Sequence, residues 1–127
     1  MIKIVTGFSL TLILILCACN KPHIAGSEPF LTLDYGVINF KNTVGSKHNF
    51  TVQSNTNWKL MINPATTDWL SLDNVSGNGS KTIIASAVKD NTLGSPRMAE
   101  IIATAVNAPM ISPVHLTVIQ NDTVIIK

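Results

Sequence analysis

Charge is scarce in this chain. Only 13% of its 127 residues are charged, nine Lys and Arg against seven Asp and Glu, for a formal net charge of +2. That balance excludes the strongly basic footprint of a nucleic-acid binder. Cysteine occurs twice, at positions 17 and 19, and aromatic residues make up 6%. The three histidines, His23, His48 and His115, have no metal-ligand spacing between any two of them. No metal and no cofactor is therefore expected. A Gly-x-Ser-x-Gly elbow, a phosphate loop and a dinucleotide fingerprint are all missing, so an enzyme is the poorest reading. What the chain has in quantity is apolar residues, 46%, too many beside so little charge for a disordered protein. Its length allows one domain.

Part of that apolar content is concentrated at the start. Met1-Ile2-Lys3 gives a short positive opening, and the run Ile4 to Leu16 is interrupted only by Thr, Gly and Ser. Charge, length and apolar core together read as a secretory signal peptide, residues 1–18. The run is too short for a spanning helix, which needs about 20 apolar residues. Leu16-Cys17-Ala18-Cys19 resembles the lipobox of bacterial lipoproteins, which implies cleavage before Cys19 and acylation of its sulfur. Cys17 then leaves with the leader and Cys19 becomes a thioether. The mature chain is expected to have no thiol and no disulfide, which removes cysteine nucleophiles and thiolate metal sites together. Residues 19–29 carry Pro, Gly and Ser without periodicity and read as a flexible tether.

From residue 30 onward the pattern is all-β: short apolar runs parted by turn residues. Phe30-Leu31-Thr32-Leu33 and Val37-Ile38-Asn39-Phe40 flank the turn Asp34-Tyr35-Gly36, and Asn42 to Lys47 reads as a hairpin loop. Phe50 and Val52 alternate with polar neighbours, and Trp58, Leu60 and Ile62 share one face of a strand that ends at Asn63-Pro64. Trp69 to Leu72 is a short strand, and Ser76-Gly77-Asn78-Gly79-Ser80 is the strongest turn signal. It is followed by Thr82-Ile83-Ile84, a strand and not a helix, so it offers no helix N-terminus to a phosphate. Thr82 to Val88, Met98 to Val106 and Val114 to Gln120 complete the set. Arg97 to Ala108 is ambiguous by composition, but its β-branched residues favour strand. Seven or eight strands over residues 30–121 suit an immunoglobulin-like β-sandwich, with residues 122–127 as a tail.

One ordered set of residues carries a family resemblance. Phe50-Thr51-Val52-Gln53-Ser54-Asn55-Thr56-Asn57-Trp58 is followed by Asp68-Trp69-Leu70-Ser71-Leu72. Ser76-Gly77-Asn78-Gly79 comes next, then Arg97 opening a strand, and Leu116-Thr117-Val118-Ile119-Gln120 at the close. This order resembles the BACON domain family, a module abundant in secreted and surface proteins of Bacteroidetes, over about residues 30 to 121. The resemblance implies an immunoglobulin-like sandwich without catalysis of its own. It also implies either carbohydrate binding or a spacer role beside a catalytic domain. No catalytic domain follows Gln120 in this sequence, so spacing within its own chain is not expected. The implied setting is an outer-membrane lipoprotein of the cell envelope, facing the periplasm or the surface.

The candidate ligand residues follow from the aromatics, because sugar binding favours an exposed flat ring beside polar groups. Phe50 and Trp58 share the phase of the core. Trp69 is out of phase with Leu70 and Leu72 and is the first candidate for a partly exposed ring, the alternative being that it closes one end of the sandwich. Tyr35, in a turn, is the second, and Asp68 is the polar neighbour of Trp69. Asp68 and Asp73 flank Trp69 and are a possible carboxylate pair, although strand-end aspartates usually satisfy turn amides. His48 and His115 are expected to face solvent. Asn49, Asn74 and Asn78 begin N-glycosylation sequons that a bacterial lipoprotein does not normally use, and Asp122-Thr123-Val124 resembles a short O-glycosylation motif. The function expected is a non-catalytic, lipid-anchored envelope protein whose loops bind a glycan or a protein partner. The alternative is a structural or assembly accessory of an envelope complex.

Overall fold

The computed structural model describes residues 26–123. The expected leader (1–18), the expected acylation site Cys19, His23, most of the expected tether and the end of the tail lie outside the described residues. Nine strands account for the fold: β1 Leu31–Leu33, β2 Val37–Phe40, β3 Lys47–Ser54, β4 Asn57–Asn63, β5 Leu70–Leu72, β6 Ser76–Asn78, β7 Lys81–Ala87, β8 Arg97–Ala105 and β9 Val114–Gln120. They form two packed sheets in the orders β1-β3-β7-β5 and β2-β9-β8-β4-β6. All neighbours are antiparallel except β2 and β9, which run parallel from Val37 opposite Thr117 to Phe40 opposite Gln120. This is the immunoglobulin-like sandwich that the alternation implies.

The period-2 pattern decides which side chains meet between the sheets. Phe50 and Val52 of β3, Ile83 and Ala85 of β7, Trp58 and Leu60 of β4, Ala99, Ile101 and Ala103 of β8, and Leu116 and Val118 of β9 are all buried. Each large aliphatic side chain withdrawn from water in this way contributes about 1.5–3 kcal/mol before conformational entropy is counted. The small residues Ala85, Ala99 and Ala103 leave room for the indole and phenyl rings of the facing sheet.

Three expectations are corrected here. First, the strand count is nine, because Ser76–Asn78 is an edge strand and not only a turn: Trp58 pairs with Gly77 and Lys59 with Ser76. Glycine is needed there because a Cβ at Gly77 would lie 2.5 Å from Cζ2 of Trp58. The indole Nε1 donates to the carbonyl of Gly79 at 2.7 Å. Second, Asn42 to Lys47 is not a hairpin loop. It carries the chain from β2 in one sheet to β3 in the other, and Lys47 already belongs to β3. Third, His48 is not solvent-facing. It shares the inward side of β3 with Phe50 and Val52 and is half-buried. Its Nε2 has no hydrogen-bond partner among the described residues. Residues 106–113 connect β8 to β9, with Ala103 opposite Val114.

Candidate functional site

The two ends of the sandwich are chemically different. β3 runs between them, with Ser54 at one end and Lys47 at the other. At the Ser54 end the chain enters: the backbone N–H of Phe30 donates to Asn55 Oδ1 at 2.9 Å, and Asn55 Nδ2 donates to the carbonyl of Glu28 at 3.0 Å and to Ser27. At the Lys47 end lie the connections 41–46, 64–69 and 88–96, together with residues 121–123.

A polar network built on two fully buried carboxamides ties this second end together. Gln120 and Asn91 both have 0% exposure. Gln120 Oε1 accepts from Arg97 Nε at 2.8 Å, and its Nε2 donates to the carbonyls of Lys89 at 2.9 Å and Asn42 at 3.2 Å. Asn91 Nδ2 donates to the carbonyls of Ser95, Gln120 and Asn121 at 2.8, 3.1 and 3.1 Å, while its Oδ1 accepts from Leu93 N. Arg97 also donates to the carbonyls of Lys89 and Asp90, and its guanidinium lies 5.0 Å from the centre of the Trp69 ring. An unpaired buried amide would cost about 1–3 kcal/mol, so a network with every carboxamide satisfied locks the segments it joins.

Of the two readings of Trp69, the exposed ring is overturned and the end-closing one holds. It is 6% exposed, and its carbonyl accepts from Val88 N at 2.8 Å. It precedes β5 instead of belonging to it, so strand phase does not govern its side chain, which turns in beneath Arg97 and closes this end of the sandwich. Asp68 is exposed and paired with Lys89, whose ammonium hydrogen-bonds it and holds its carboxyl below the ordinary value. It does not pair with Asp73, whose Oδ1 accepts from Ile84 N at 2.8 Å. Asp34 likewise accepts from Thr51 N. Tyr35 is 44% exposed and stands edge-on to His48, centroids 4.6 Å apart. Trp69 and Asp68 thus come together at one end, and Tyr35 is held against the residue next to Lys47. His115 is exposed and meets Glu100 at 2.7 Å. Thr123 Oγ1 receives a hydrogen bond from Asn42 Nδ2 at 3.2 Å, and Val124 lies outside the described residues.

Beside the network opens a cleft of about 440 Å³ lined by Asn39, Lys41, Thr43, Val44, Ser46 and Lys47. Its connection is held from below. Val44 N donates to Asp90 Oδ1 at 2.6 Å, Gly45 N to the Ala87 carbonyl at 2.8 Å, and Asn91 N to the Asn42 carbonyl at 2.7 Å. Gly45 has φ +86°, a conformation that L side chains rarely adopt. None of these cleft residues had been singled out from the sequence, because lone Lys, Thr and Asn residues in a connection carry no motif. Two other concavities are less suited. One of about 350 Å³ at the entry end is lined by Ser27, Pro29 and several asparagines, but Asn55 is committed to residues 27–30 and Asn78 to Asn57. The other, about 240 Å³ on the outer face of the five-stranded sheet, contains Glu100, already bound by His115 and Asn63.

Residues 61–121 match the family model BACON, described as "Putative binding domain, N-terminal". The sandwich carries a BACON domain. The match is narrower than the span of the resemblance, yet it contains Trp69, Gly77, Gly79, Arg97 and Gln120, the residues that build the Trp58 lock and the polar network. Solved structures agree with the fold. A Bacteroides ovatus GH5 xyloglucanase, solved in complex with a XXXG heptasaccharide, is similar with TM-score 0.60 and 17% identity over 73% of this chain. This chain spans 18% of the xyloglucanase's length. The E. coli chaperone DraB is similar with TM-score 0.57 and 6% identity, covering 75% of this chain and 56% of DraB. The PapD-like domain 7 of human CEP192 has TM-score 0.51 and 10% identity, covering 72% and 84% of the two chains. No curated protein sequence matches the chain.

Proposed function

We propose that this BACON domain is a non-catalytic binding module, held to the outer membrane through acylated Cys19, that contacts a glycan with the end of the sandwich opposite its tether. The observation that carries this reading is the placement of the cleft. Residues 27–30 enter beside Asn55, at the far end of β3 from Lys47, so an anchor on residue 19 leaves the cleft facing away from the membrane. The cleft is polar and its backbone is fixed in advance, which lowers the ordering cost of binding. Tyr35 lies outside the lining, against His48, the residue next to Lys47, and is the ring this reading assigns to a ligand that extends past the cleft. Trp69 and Asp68 act from beneath, holding the connections 64–69 and 88–96 in place. The family's description as a binding domain and the saccharide complex of the similar xyloglucanase support the choice of ligand class.

A glycan array probed with the purified protein tests the reading, with Asn39→Ala and Tyr35→Ala as site variants and Lys59→Ala, on the outer face of β4, as control. Retention of at least one glycan that both site variants weaken and the control does not is the expected result. Failure to retain any glycan would overturn it. Palmitate labelling that depends on Cys19 tests the anchor.

A further inference from the structure

We infer that the cleft selects acidic polysaccharides, those bearing carboxylate or sulfate groups; this rests on the glycan-binding reading and deepens it. The argument begins with how the cations at this end are used. Lys89 is paired with Asp68. Arg97 is engaged by Gln120, by the carbonyls of Lys89 and Asp90, and by the face of Trp69. Lys41 and Lys47 are different. Both are exposed, both line the cleft, and among the described residues neither has an acidic partner within ion-pair distance.

The acids of this end do not line the cleft. Asp68 is held by Lys89, and Asp90 is turned under the connection to accept from Val44 N. Asp122 lies past β9, outside the lining. Of the remaining polar side chains of the cleft, Asn39 and Thr43 can donate to hydroxyls or anionic oxygens alike, whereas Ser46 Oγ donates to the Thr43 carbonyl at 2.9 Å and is left to accept. Two free ammonium groups on one open cleft, with hydroxyl and carboxamide groups between them and no lining carboxylate, favour a ligand with spaced negative charges over a neutral one. The residues flanking the lysines are fixed by Gly45, Asp90 and Asn91. Each lysine needs to order only its own side chain on binding.

Affinity electrophoresis of the purified full chain through gels containing polygalacturonate, chondroitin sulfate or neutral dextran tests the inference, with salt as a further arm. Retardation by polygalacturonate, chondroitin sulfate or both, but not by dextran, and its loss in 0.5 M NaCl, are expected. The separate gels tell carboxylate from sulfate recognition. Each exposed lysine contact corresponds to a factor of roughly two to five, so the double variant Lys41→Ala/Lys47→Ala should lose about tenfold in affinity, and Lys41→Glu/Lys47→Glu should abolish retardation. Lys81→Ala, at the other end and bound to Asn74, should behave as wild type. All four chains should melt together, because the lysines touch no core. Equal retardation by dextran and the acidic polymers would overturn the inference, as would undiminished retardation of the double-Glu variant. Binding of neutral glycans alone would remove the acidic selectivity and leave the glycan-binding reading standing. Retention of no glycan of either class would remove both.

Discussion

Replacing Gly77 by alanine tests whether the Trp58 lock is a packing constraint or a turn preference. The added Cβ would lie 2.5 Å from Cζ2 of Trp58 and 3.0 Å from both Cε2 and Cη2. Trp58 is 1% exposed, packed in the core cluster, and its Nε1 is bonded to the Gly79 carbonyl at 2.7 Å. The ring cannot retreat without displacing core neighbours and stretching that hydrogen bond. Overpacking of a dense core costs about 1–3 kcal/mol, and stretching the buried indole hydrogen bond forfeits about 1 more, part of what an unpaired N–H would cost, so a loss of roughly 2–4 kcal/mol is expected. For a domain of this size that lowers the Tm by roughly 10–20 °C. Urea denaturation followed by tryptophan fluorescence measures it directly. Gly36 serves as the control, since a Cβ there meets nothing within 4 Å; Gly36→Ala should be neutral or stabilising by about 1 kcal/mol at most. In a Trp58→Phe background the clashing atoms are gone, and the cost of Gly77→Ala should fall by about 2 kcal/mol, a coupling that a double-mutant cycle isolates. A cost below about 0.5 kcal/mol, or one unchanged in the Phe background, would refute the steric argument.

Three further outcomes follow from the other end of the sandwich. Gln120→Leu leaves Arg97 Nε without its acceptor and removes one of the two hydrogen bonds received by each of the Asn42 and Lys89 carbonyls, and should cost about 1–3 kcal/mol by chemical denaturation. Arg97→Lys keeps the charge but cannot reproduce the guanidinium fork or its stacking on Trp69, so about 1–3 kcal/mol should be lost, with increased hydrogen exchange in residues 88–96. For Asp68, Lys89 lowers the folded carboxyl below its unfolded value. The pair's contribution is therefore present at neutral pH and disappears as pH falls through the folded value. The Tm difference between wild type and Asp68→Asn should shrink toward zero in acid and in 1 M NaCl, because the pair is exposed and screened.

The sequence made the long strands legible because each has a clear inward face: Phe50 with Val52, Trp58 with Leu60, Ile101 with Ala103, Leu116 with Val118. It concealed features whose cause is long-range. Ser76–Ser80 reads as a turn because Gly77 and Gly79 dominate it, and only the indole of Trp58, nineteen residues before Gly77, explains why that glycine sits in an edge strand. Trp69 was read by the phase of a strand that begins one residue later. The inward position of His48 follows from its spacing of two to Phe50, once β3 is seen to start at Lys47 and not at Asn49. Asn91 carries no signal of burial: Asp90-Asn91 reads as a turn, and its carboxamide is buried because the carbonyls of Ser95 and of the distant Gln120 and Asn121 converge on it.

This division bears on where ligand information can reside. The residues that carry the BACON resemblance are consumed in holding the fold: Trp58 and Gly77 by mutual contact, and Trp69, Arg97 and Gln120 in one network. None of them lines the cleft. The cleft lies within residues 39–47, outside the matched span 61–121, and is built on a connection that the network immobilises from beneath. A scaffold of this kind can change its ligand by changing the side chains of that connection while Asp90, Asn91 and Gln120 keep the backbone in place. Transplanting the segment 39–47 onto another BACON sandwich should then move glycan preference without moving stability by more than about 1 kcal/mol, provided the recipient keeps the carboxylate, the buried Asn and the buried Gln that fix the segment. A transplant that folds and leaves the recipient's preference unchanged would place recognition elsewhere on the domain.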